Sequence, residues 1–196
     1  MKRLIPLFFF ILLIQISSIS ASNSNEIKRI VIGNKNAKIS IIAYESLTCS
    51  HCANFHIDVL PDLKKEYIDT GLAKIEFRHF PLDVAAFNAS KIAQCKNDGE
   101  SNILNSLYLN QSKWVKGKTI AEVNESLKRF LVSEGIKVDF DKCTTDKSIE
   151  DFILNDRIEG VKKFNVNATP TIIINDKKFE KSLNYKNLKK SLEKLI

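Results

Sequence analysis

The chain has 196 residues, of which 44% are hydrophobic and 27% are charged, and its formal net charge is +7. This is the composition of an ordinary globular protein, and it excludes a collagen-like, low-complexity or largely disordered chain. The basic residues are mostly lysines spread along the chain rather than arginine-rich clusters with interleaved aromatic residues, so we expect no nucleic-acid partner. A chain of this length can bury a sizeable core, so its four cysteines are not needed merely to make it fold.

The first residues have the order of a secretory signal peptide. The basic pair Lys2 and Arg3 precedes an apolar run over residues 4–16, and small and polar residues follow. The apolar run is shorter than the roughly 20 residues that a spanning helix needs. We therefore predict that residues 1–21 are a signal peptide, cleaved near Ala21, and that the protein is exported. The alternative is an uncleaved amino-terminal anchor.

The next part of the chain shows both strand and helix patterns. Residues 28–32 and 39–44 are predicted strands, and the second is a continuous apolar run of the kind that is buried on both faces of a sheet. Residues 50–69 carry apolar side chains at helical spacing, and Pro61 is expected to kink this helix. Residues 73–80 alternate between apolar and polar side chains, which predicts a third strand.

From residue 83 the pattern is helical only, and strands return near the end of the chain. The predicted helices cover residues 84–96, 101–111, 119–134 and 148–164. A strand is predicted at 171–175, a second short strand near 178–182, and an amphipathic helix from Tyr185. This order predicts an α/β fold in which a mixed sheet flanked by helices is interrupted by a helical insertion.

A Cys-Ser-His-Cys run lies where a predicted buried strand ends and a helix begins. Cys49 would occupy the helix start, where unpaired N–H groups and the positive end of the helix dipole stabilise a thiolate. Cys52 follows one turn later on the same face and is the expected buried resolving thiol. A disulfide between the two closes a tiny loop, so it adds little stability and is easily reduced. The pattern therefore favours a redox role over a structural one.

Two further interpretations concern histidines near the motif. His51 in the first helical turn can face the thiolate of Cys49 and lower its pKa, which makes the disulfide form a stronger oxidant; the alternative is a solvated histidine at the helix start. A zinc site formed by Cys49, Cys52 and His56 is the competing use of the motif. Structural zinc needs four ligands, usually from two such cysteine pairs, and the sequence has no second pair. We expect no metal and no organic cofactor.

The stretches IIAYESLTCSHCANFH, EFRHFPLD and NATPTIII together resemble the DsbA-like thiol:disulfide oxidoreductases of the thioredoxin superfamily. The resemblance extends over nearly all of the chain after the signal peptide. It implies a thioredoxin-like fold built from residues 26–83 and 157–196, with residues 84–156 as the helical insertion. In that family the proline after the insertion is cis and lies beside the active-site disulfide. Thr169 and Pro170 match that position.

The position of Pro170 also has a physical rationale. A proline at the first residue of a strand removes one donor from the hydrogen-bond ladder, and in cis it leaves neighbouring backbone groups free to pair with an extended peptide. Thr169 and Pro170 are therefore the expected substrate-binding residues. The alternative is an ordinary trans proline at a strand start. The resemblance further implies reduced substrate proteins as partners, a membrane quinone-linked partner that reoxidises the dithiol, and a periplasmic location.

One residue departs from the family pattern. Members commonly carry a buried acidic residue on the strand six positions before the first cysteine, and here that position is Ala43. Glu45 lies two residues later and points to the same side by strand alternation, so it is one candidate replacement. The alternative is a solvated carboxylate at the strand end.

Cys95 and Cys143 lie in the insertion, 48 residues apart. In an oxidising compartment two remaining cysteines usually pair. Among the possible connectivities, only Cys49 with Cys52 and Cys95 with Cys143 leaves the redox motif intact. We predict a structural disulfide in the insertion; the alternative is two free buried thiols.

These features predict an exported thiol:disulfide oxidoreductase that acts as an oxidant, with Cys49 as the exchanging sulfur. The first alternative is a reductase or isomerase on the same fold. Those activities usually need a dimerising domain, for which no segment is left over, so we expect a monomer. The second alternative is a secreted binding protein with two structural disulfides and no turnover.

Overall fold

The computed structural model describes residues 26–196, so the predicted signal peptide at residues 1–21 lies outside the described residues. No helix within 26–196 is long and apolar enough to cross a membrane. The strands are β1 (Ile30–Gly33), β2 (Ile39–Glu45), β3 (Ala73–His79), β4 (Thr171–Ile174) and β5 (Lys177–Lys178).

These strands form one mixed sheet in the order β1-β3-β2-β4-β5. Strand β2 is parallel to β3, and the other neighbouring pairs are antiparallel. Ile39, Ile41 and Ala43 of β2 are buried, as the continuous apolar run predicts for a strand covered on both faces. The predicted mixed sheet with flanking helices is confirmed.

The helix after β2 is continuous over residues 50–68 but not uniformly α-helical. It consists, in chain order, of α1 (Ser50–Asn54), a π-helical segment (Phe55–Val59), α2 (Leu60–Leu63) and a second π-helical segment (Lys64–Ile68). Pro61, which has no N–H to donate, is the second residue after the first π-helical segment. There the N–H of Leu60 donates to the carbonyl of Phe55, five residues back. Pro61 therefore does not end the helix, because the wider turns accommodate it.

Helices of the insertion pack against the sheet and share its core. They are α3 (Val84–Gln94), α4 (Asn102–Leu109), α5 (Gln111–Trp114), α6 (Ile120–Ser133), α7 (Phe140–Thr145) and α8 (Lys147–Phe164), and α9 (Tyr185–Leu192) closes the chain. One buried cluster joins Ile41 of the sheet, Leu63 of α2 and Trp114 of α5. Helix α8 continues without a break through residue 156, the predicted end of the insertion. It packs along β3, where its buried Asp156 accepts a hydrogen bond from the backbone N–H of His79.

Three elements differ from the sequence-based prediction. Helix α7 was not predicted, the helix expected over 101–111 is divided between α4 and α5, and β5 is shorter than the strand expected near 178–182. A capping box at Thr119, in which its hydroxyl accepts from the N–H of Glu122, begins α6.

Candidate active site

The loop that leaves β2 places Cys49 at the start of α1. Cys49 has extended backbone angles, and its N–H donates to the carbonyl of Ser46 over 3.0 Å. Its own carbonyl accepts from the N–H groups of Cys52 and Ala53, at 3.1 and 3.2 Å, which begins the helix. The sulfur of Cys49 therefore lies among the first free N–H groups of the helix, where a negative charge is favoured.

The surroundings of Cys49 stabilise its thiolate. Its pKa is lowered to about 5, chiefly because the Cys52 thiol hydrogen-bonds to its sulfur. The Thr169 side chain and the backbone N–H groups of Cys52 and His51 act in the same direction, whereas partial burial opposes them. Cys49 is half-buried, so this thiolate is open to a reaction partner.

Cys52 has the opposite properties, although the two cysteines are separated by only one helical turn. Its side chain is fully buried, and burial raises the pKa of the thiol far above its usual range. The hydrogen bond to Cys49 and the charge of Glu45 raise it further. The two sulfurs are not bonded to each other in the structure. The site therefore presents one reactive thiolate above one protonated, buried thiol.

Strand β4, which pairs with β2, begins directly after Pro170 and places that residue near the two cysteines. The Thr169-Pro170 peptide bond is cis. The sulfur of Cys49 lies 3.3 Å from the carbonyl oxygen of Thr169. A cavity of about 510 Å³ opens beside these groups, lined by His51 and Asn54 of α1, by Thr169 and Pro170, and by Tyr185 of α9, among others. An extended peptide bound there would contact Thr169 and Pro170, next to Cys49.

Glu45 and His56 form a buried pair beneath the motif. Glu45 ends β2 and is 3% exposed, and its Oε2 lies 2.9 Å from Nε2 of His56. The His56 ring stacks on Tyr108, with ring centroids 4.1 Å apart. Burial raises the pKa of Glu45, while the neighbouring His56 opposes that shift. Of the two interpretations of Glu45, the structure excludes the solvated carboxylate.

Comparison with known proteins agrees with this geometry. A family model described as Thioredoxin matches residues 25–194. The crystal structure of Wolbachia pipientis alpha-DsbA1 superimposes with a TM-score of 0.75 at 31% sequence identity, and the match covers 85% of this chain and 90% of that one. The chain belongs to the DsbA-like family of the thioredoxin superfamily.

Curated relatives of this DsbA-like chain carry related names. A putative protein-disulfide oxidoreductase of Rickettsia bellii is 30% identical over 152 residues, which are 74% of this chain and 56% of that protein. The chain thus spans little more than half the length of this relative. Disulfide bond formation protein D of Bacillus subtilis is 26% identical over 174 residues, which are 84% of this chain and 75% of the relative.

The structure places the other predicted site residues of this DsbA-like protein as follows. His51 is exposed, and within residues 26–196 no hydrogen bond joins its imidazole to Cys49. Only the backbone N–H of His51 contributes to the lowered pKa of Cys49. A disulfide joins Cys95, which follows α3, to Cys143 of α7, with Cα atoms 5.5 Å apart. In the part of the chain that the structure describes, no three His, Cys, Asp or Glu side chains form a group that could hold a metal ion.

Two residues near the DsbA-like site were not singled out from the sequence. Gln111 of α5 donates through Nε2 to the carbonyls of Leu47 and Cys49, at 2.8 and 3.1 Å. Tyr108 of α4 covers His56. Neither carries a sequence signal, because each reaches the site only through the packing of the insertion on the sheet. His56 was considered only as a metal ligand, and its position one turn after Cys52 was the available clue.

Proposed function

We propose that the chain is an exported thiol:disulfide oxidoreductase that introduces disulfides into reduced substrate proteins in the periplasm. The observation that carries this proposal is the opposite displacement of two pKa values, low for Cys49 and high for Cys52. A stabilised Cys49 thiolate stabilises the reduced form, and a disulfide with a stable reduced form is a strong oxidant. The relatives named protein-disulfide oxidoreductases support the same activity.

The reaction begins with the oxidised protein, in which Cys49 and Cys52 form a disulfide. A substrate thiolate attacks the sulfur of Cys49, a mixed disulfide forms, and the electron pair of the broken bond goes to the sulfur of Cys52, which takes up a proton. A second substrate thiolate then attacks the substrate sulfur of the mixed disulfide. Cys49 leaves as a thiolate, which its low pKa makes a good leaving group. The substrate has gained a disulfide and the protein has become a dithiol.

The remaining parts of the proposal concern binding and location. Thr169 and Pro170 hold the backbone of the substrate beside Cys49, and the exposed His51 contributes to the binding cavity that it lines. Residues 1–21 direct export, and a membrane quinone-linked partner returns the dithiol to the disulfide. No metal or organic cofactor takes part in the exchange between sulfurs.

The second disulfide has a structural role in this proposal. Cys95 and Cys143 are 48 residues apart in the sequence. A disulfide across that separation adds up to about 4 kcal/mol to the free energy of unfolding, because it restricts the unfolded chain. We expect a mild dithiol reductant to open the pair of Cys49 and Cys52 while the insertion bridge stays closed. Differential alkylation followed by mass spectrometry measures this, and opening of both bridges at one reductant potential would contradict the division of roles.

The proposed function is tested first by alkylation of the reduced protein with iodoacetamide across the range from about pH 3 to about pH 9. Only the half-buried Cys49 should react, with a midpoint near 5. Equilibration with glutathione buffers of known ratio then gives the reduction potential. An oxidising potential supports the oxidant, and a strongly reducing one favours the reductase. If the pKa of Cys49 is that of an ordinary thiol, the oxidant and the reductase are both excluded, and the secreted binding protein is the remaining alternative.

A further inference from the structure

Most of the net positive charge of residues 26–196 lies near the end of the chain. Residues 176–196 contain seven lysines and three acidic side chains, so this segment carries +4. Residues 26–175 contain 21 basic and 20 acidic side chains, so they carry only +1. Lysines occur along the whole chain, but before residue 176 acidic residues nearly balance them in number. A general lysine bias therefore does not account for the charge of this segment.

Five of the seven lysines have exposed side chains that form no ion pair within residues 26–196. They are Lys177 of β5, Lys186 and Lys190 of α9, and Lys181 and Lys194 outside these elements. We name these five lysines the C-terminal basic face. Of the acidic side chains in the segment, Asp176 is paired with Lys163, so only Glu180 and Glu193 remain to oppose this charge.

An apolar cavity lies beside these lysines. It has a volume of about 280 Å³, and its lining includes Ile174, Phe179 and Leu195 together with Lys177, Lys181 and Ser191. Lys190 and Lys194 directly precede two of these residues in the chain, so lysines from the strand side and from the helix side border one surface. Ile196, next to this cavity in the chain, is 61% exposed. The surface therefore combines a basic rim with a small apolar centre.

Structural explanations do not cover the whole C-terminal basic face. Strand β5 is an edge of the sheet, and lysines on an edge strand keep other strands from pairing with it. This explains Lys177 but not the lysines of α9. Helix α9 has no acidic residue, and its Lys186 and Lys190 are four residues apart, a spacing at which like charges repel. The face is therefore slightly unfavourable for the fold itself, which indicates an anionic binding partner.

The chemistry of the face favours a lipid surface over a protein partner. Every basic residue in 176–196 is a lysine, whereas recognition of carboxylate groups in a fixed geometry favours the planar fork of arginine. A basic rim around apolar side chains is typical of proteins that lie on membranes. Lysines meet the anionic headgroups there, and apolar side chains enter the boundary beneath them.

We propose that the C-terminal basic face binds the surface of a membrane that contains anionic phospholipids. Leu188 and Leu192 of α9 are buried in the core, so the lysines and the small apolar centre are what the helix side offers to lipid. The binding is therefore mainly electrostatic, reversible and sensitive to salt.

This binding would place the active site near the membrane. Tyr185, the first residue of α9, lines the substrate cavity, and a helix of eight residues is about 12 Å long. The substrate cavity and the basic face thus lie along one short helix. In the proposed function the partner that reoxidises the dithiol is in the membrane, so attachment through this face would bring the two together. The attachment itself does not depend on sulfur exchange.

The test is flotation of the exported protein with lipid vesicles. At about 0.1 M salt, vesicles of equal parts phosphatidylcholine and phosphatidylglycerol should bind the protein, and about 1 M salt should release it. Vesicles of phosphatidylcholine alone should not bind it. The triple variant Lys181→Gln, Lys190→Gln and Lys194→Gln should lower the partition coefficient about 100-fold, because each lysine near an anionic surface contributes about fivefold.

A second triple variant, Lys116→Gln, Lys118→Gln and Lys137→Gln, is the matched control. These lysines of the insertion are exposed and form no ion pair within residues 26–196, and their replacement removes the same total charge. The control should bind vesicles as the native protein does. An equal loss of binding in the two variants would mean that the net charge acts rather than the C-terminal basic face, and would overturn the proposal.

An acidic polypeptide is the competing occupant. If a polyglutamate peptide binds the native protein and neither kind of vesicle does, the face belongs to an acidic protein partner and the proposal is wrong. Equal binding to both kinds of vesicle would indicate an apolar attachment and would also overturn it. Both triple variants should keep the alkylation midpoint of Cys49. A native Cys49 that titrates as an ordinary thiol overturns the proposed function but leaves the result with vesicles unaffected.

A further measurement uses only the native protein. Its lysines are acetylated with and without the anionic vesicles, and the extent of reaction at each site is read by mass spectrometry. The vesicles should slow acetylation of Lys181, Lys190 and Lys194 and leave Lys116 and Lys118 unchanged. Uniform protection of all lysines, or protection of none, overturns the proposal.

Discussion

Two residues of one chemical type have opposite properties here because of their positions in one helical turn. Cys49 precedes the helix and receives hydrogen bonds from the Cys52 thiol and from backbone N–H groups. Cys52 is fully buried, and the charge of Glu45 adds to the rise in its pKa. Each environment favours the protonation state that the proposed exchange requires of that cysteine. Cys49 has to leave as a thiolate, and Cys52 has to keep its proton.

Thr169 offers a clean test of the Cys49 environment. Its side chain contributes to the lowered pKa of Cys49, and its buried Oγ1 has no hydrogen-bond partner among the described residues. Thr169→Val keeps the shape and removes the hydroxyl, so we expect the pKa of Cys49 to rise. The unfolding free energy should change by less than about 0.5 kcal/mol. The alkylation midpoint against pH measures the shift. Thr70→Val, at the far end of the helix over 50–68, is the control, and equal midpoints in the two variants would contradict this role.

At this scale the sequence predicted the identity of the reactive groups but not their full surroundings. Cys49 and Cys52 were predicted from their spacing and their place at a strand-to-helix junction. The imidazole of His51 was expected to face the thiolate, but the side chain is exposed. The pairing of Glu45 with His56 depends on how β2 ends relative to the following helix, which periodicity does not specify.

At the scale of elements, the short helix α5 fixes the active-site loop from outside the sheet. The two hydrogen bonds from Gln111 hold the carbonyls of Leu47 and Cys49, which both lie in the loop between β2 and α1. On the opposite side the hydroxyl of Thr48 donates to Asp83, at the start of α3, over 2.6 Å. The helical insertion therefore helps to position the cysteine that begins the helix.

Removal of the Gln111 contacts should loosen this loop. In Gln111→Met the side chain keeps its length and helix propensity but cannot donate, so two carbonyls lose a partner. We expect a loss of about 1 to 2 kcal/mol in the free energy of unfolding by urea. Ser112→Ala, an exposed change in the same short helix, should alter it by less than about 0.5 kcal/mol. Equal urea midpoints for the two variants would mean that α5 does not stabilise the loop.

The elements that were predicted are those with a strong periodic signal. Strand β2 and the helix over 50–68 have long apolar patterns, and their bounds agree with the prediction within a residue or two. Helix α7 escaped because it has only six residues in a polar segment, with Cys143 as its one buried side chain. Strand β5 is limited to the two residues that pair with Ile173 and Ile174, and pairing length is a tertiary property.

At the scale of the whole molecule, the insertion and the sheet share the main buried core. The main buried cluster runs from the sheet through Leu107 and Trp114 to Cys143. Arg29 before β1 forms an ion pair with the fully buried Asp156 of α8, which also accepts from the N–H of His79. The active site therefore lies on a unit that is expected to unfold cooperatively, so a charge at Cys49 is coupled to the stability of the whole fold.

This coupling predicts how the stability of the dithiol form depends on pH. The folded pKa of Cys49 is about 5, below its ordinary value of 9.0, so between these values the unfolded chain binds a proton that the folded chain does not. The unfolding free energy of the dithiol form should therefore rise with pH across this window, and the gain should be lost as pH falls through about 5. The disulfide form has no thiol to titrate at Cys49 and serves as the matched control for every group that the two forms share.

The measurement is urea unfolding of both forms at a series of pH values, with the disulfide of the insertion kept intact in each. The dithiol form should gain stability over the disulfide form as pH rises from about 5 to about 8, because in that range Cys52 is protonated in both the folded and the unfolded chain and adds no slope of its own. If the dithiol form is more stable than the disulfide form at neutral pH, the fold favours reduction of the disulfide. The disulfide is then a strong oxidant. Parallel stability curves for the two forms would contradict both the lowered pKa of Cys49 and the assignment of the protein as an oxidant.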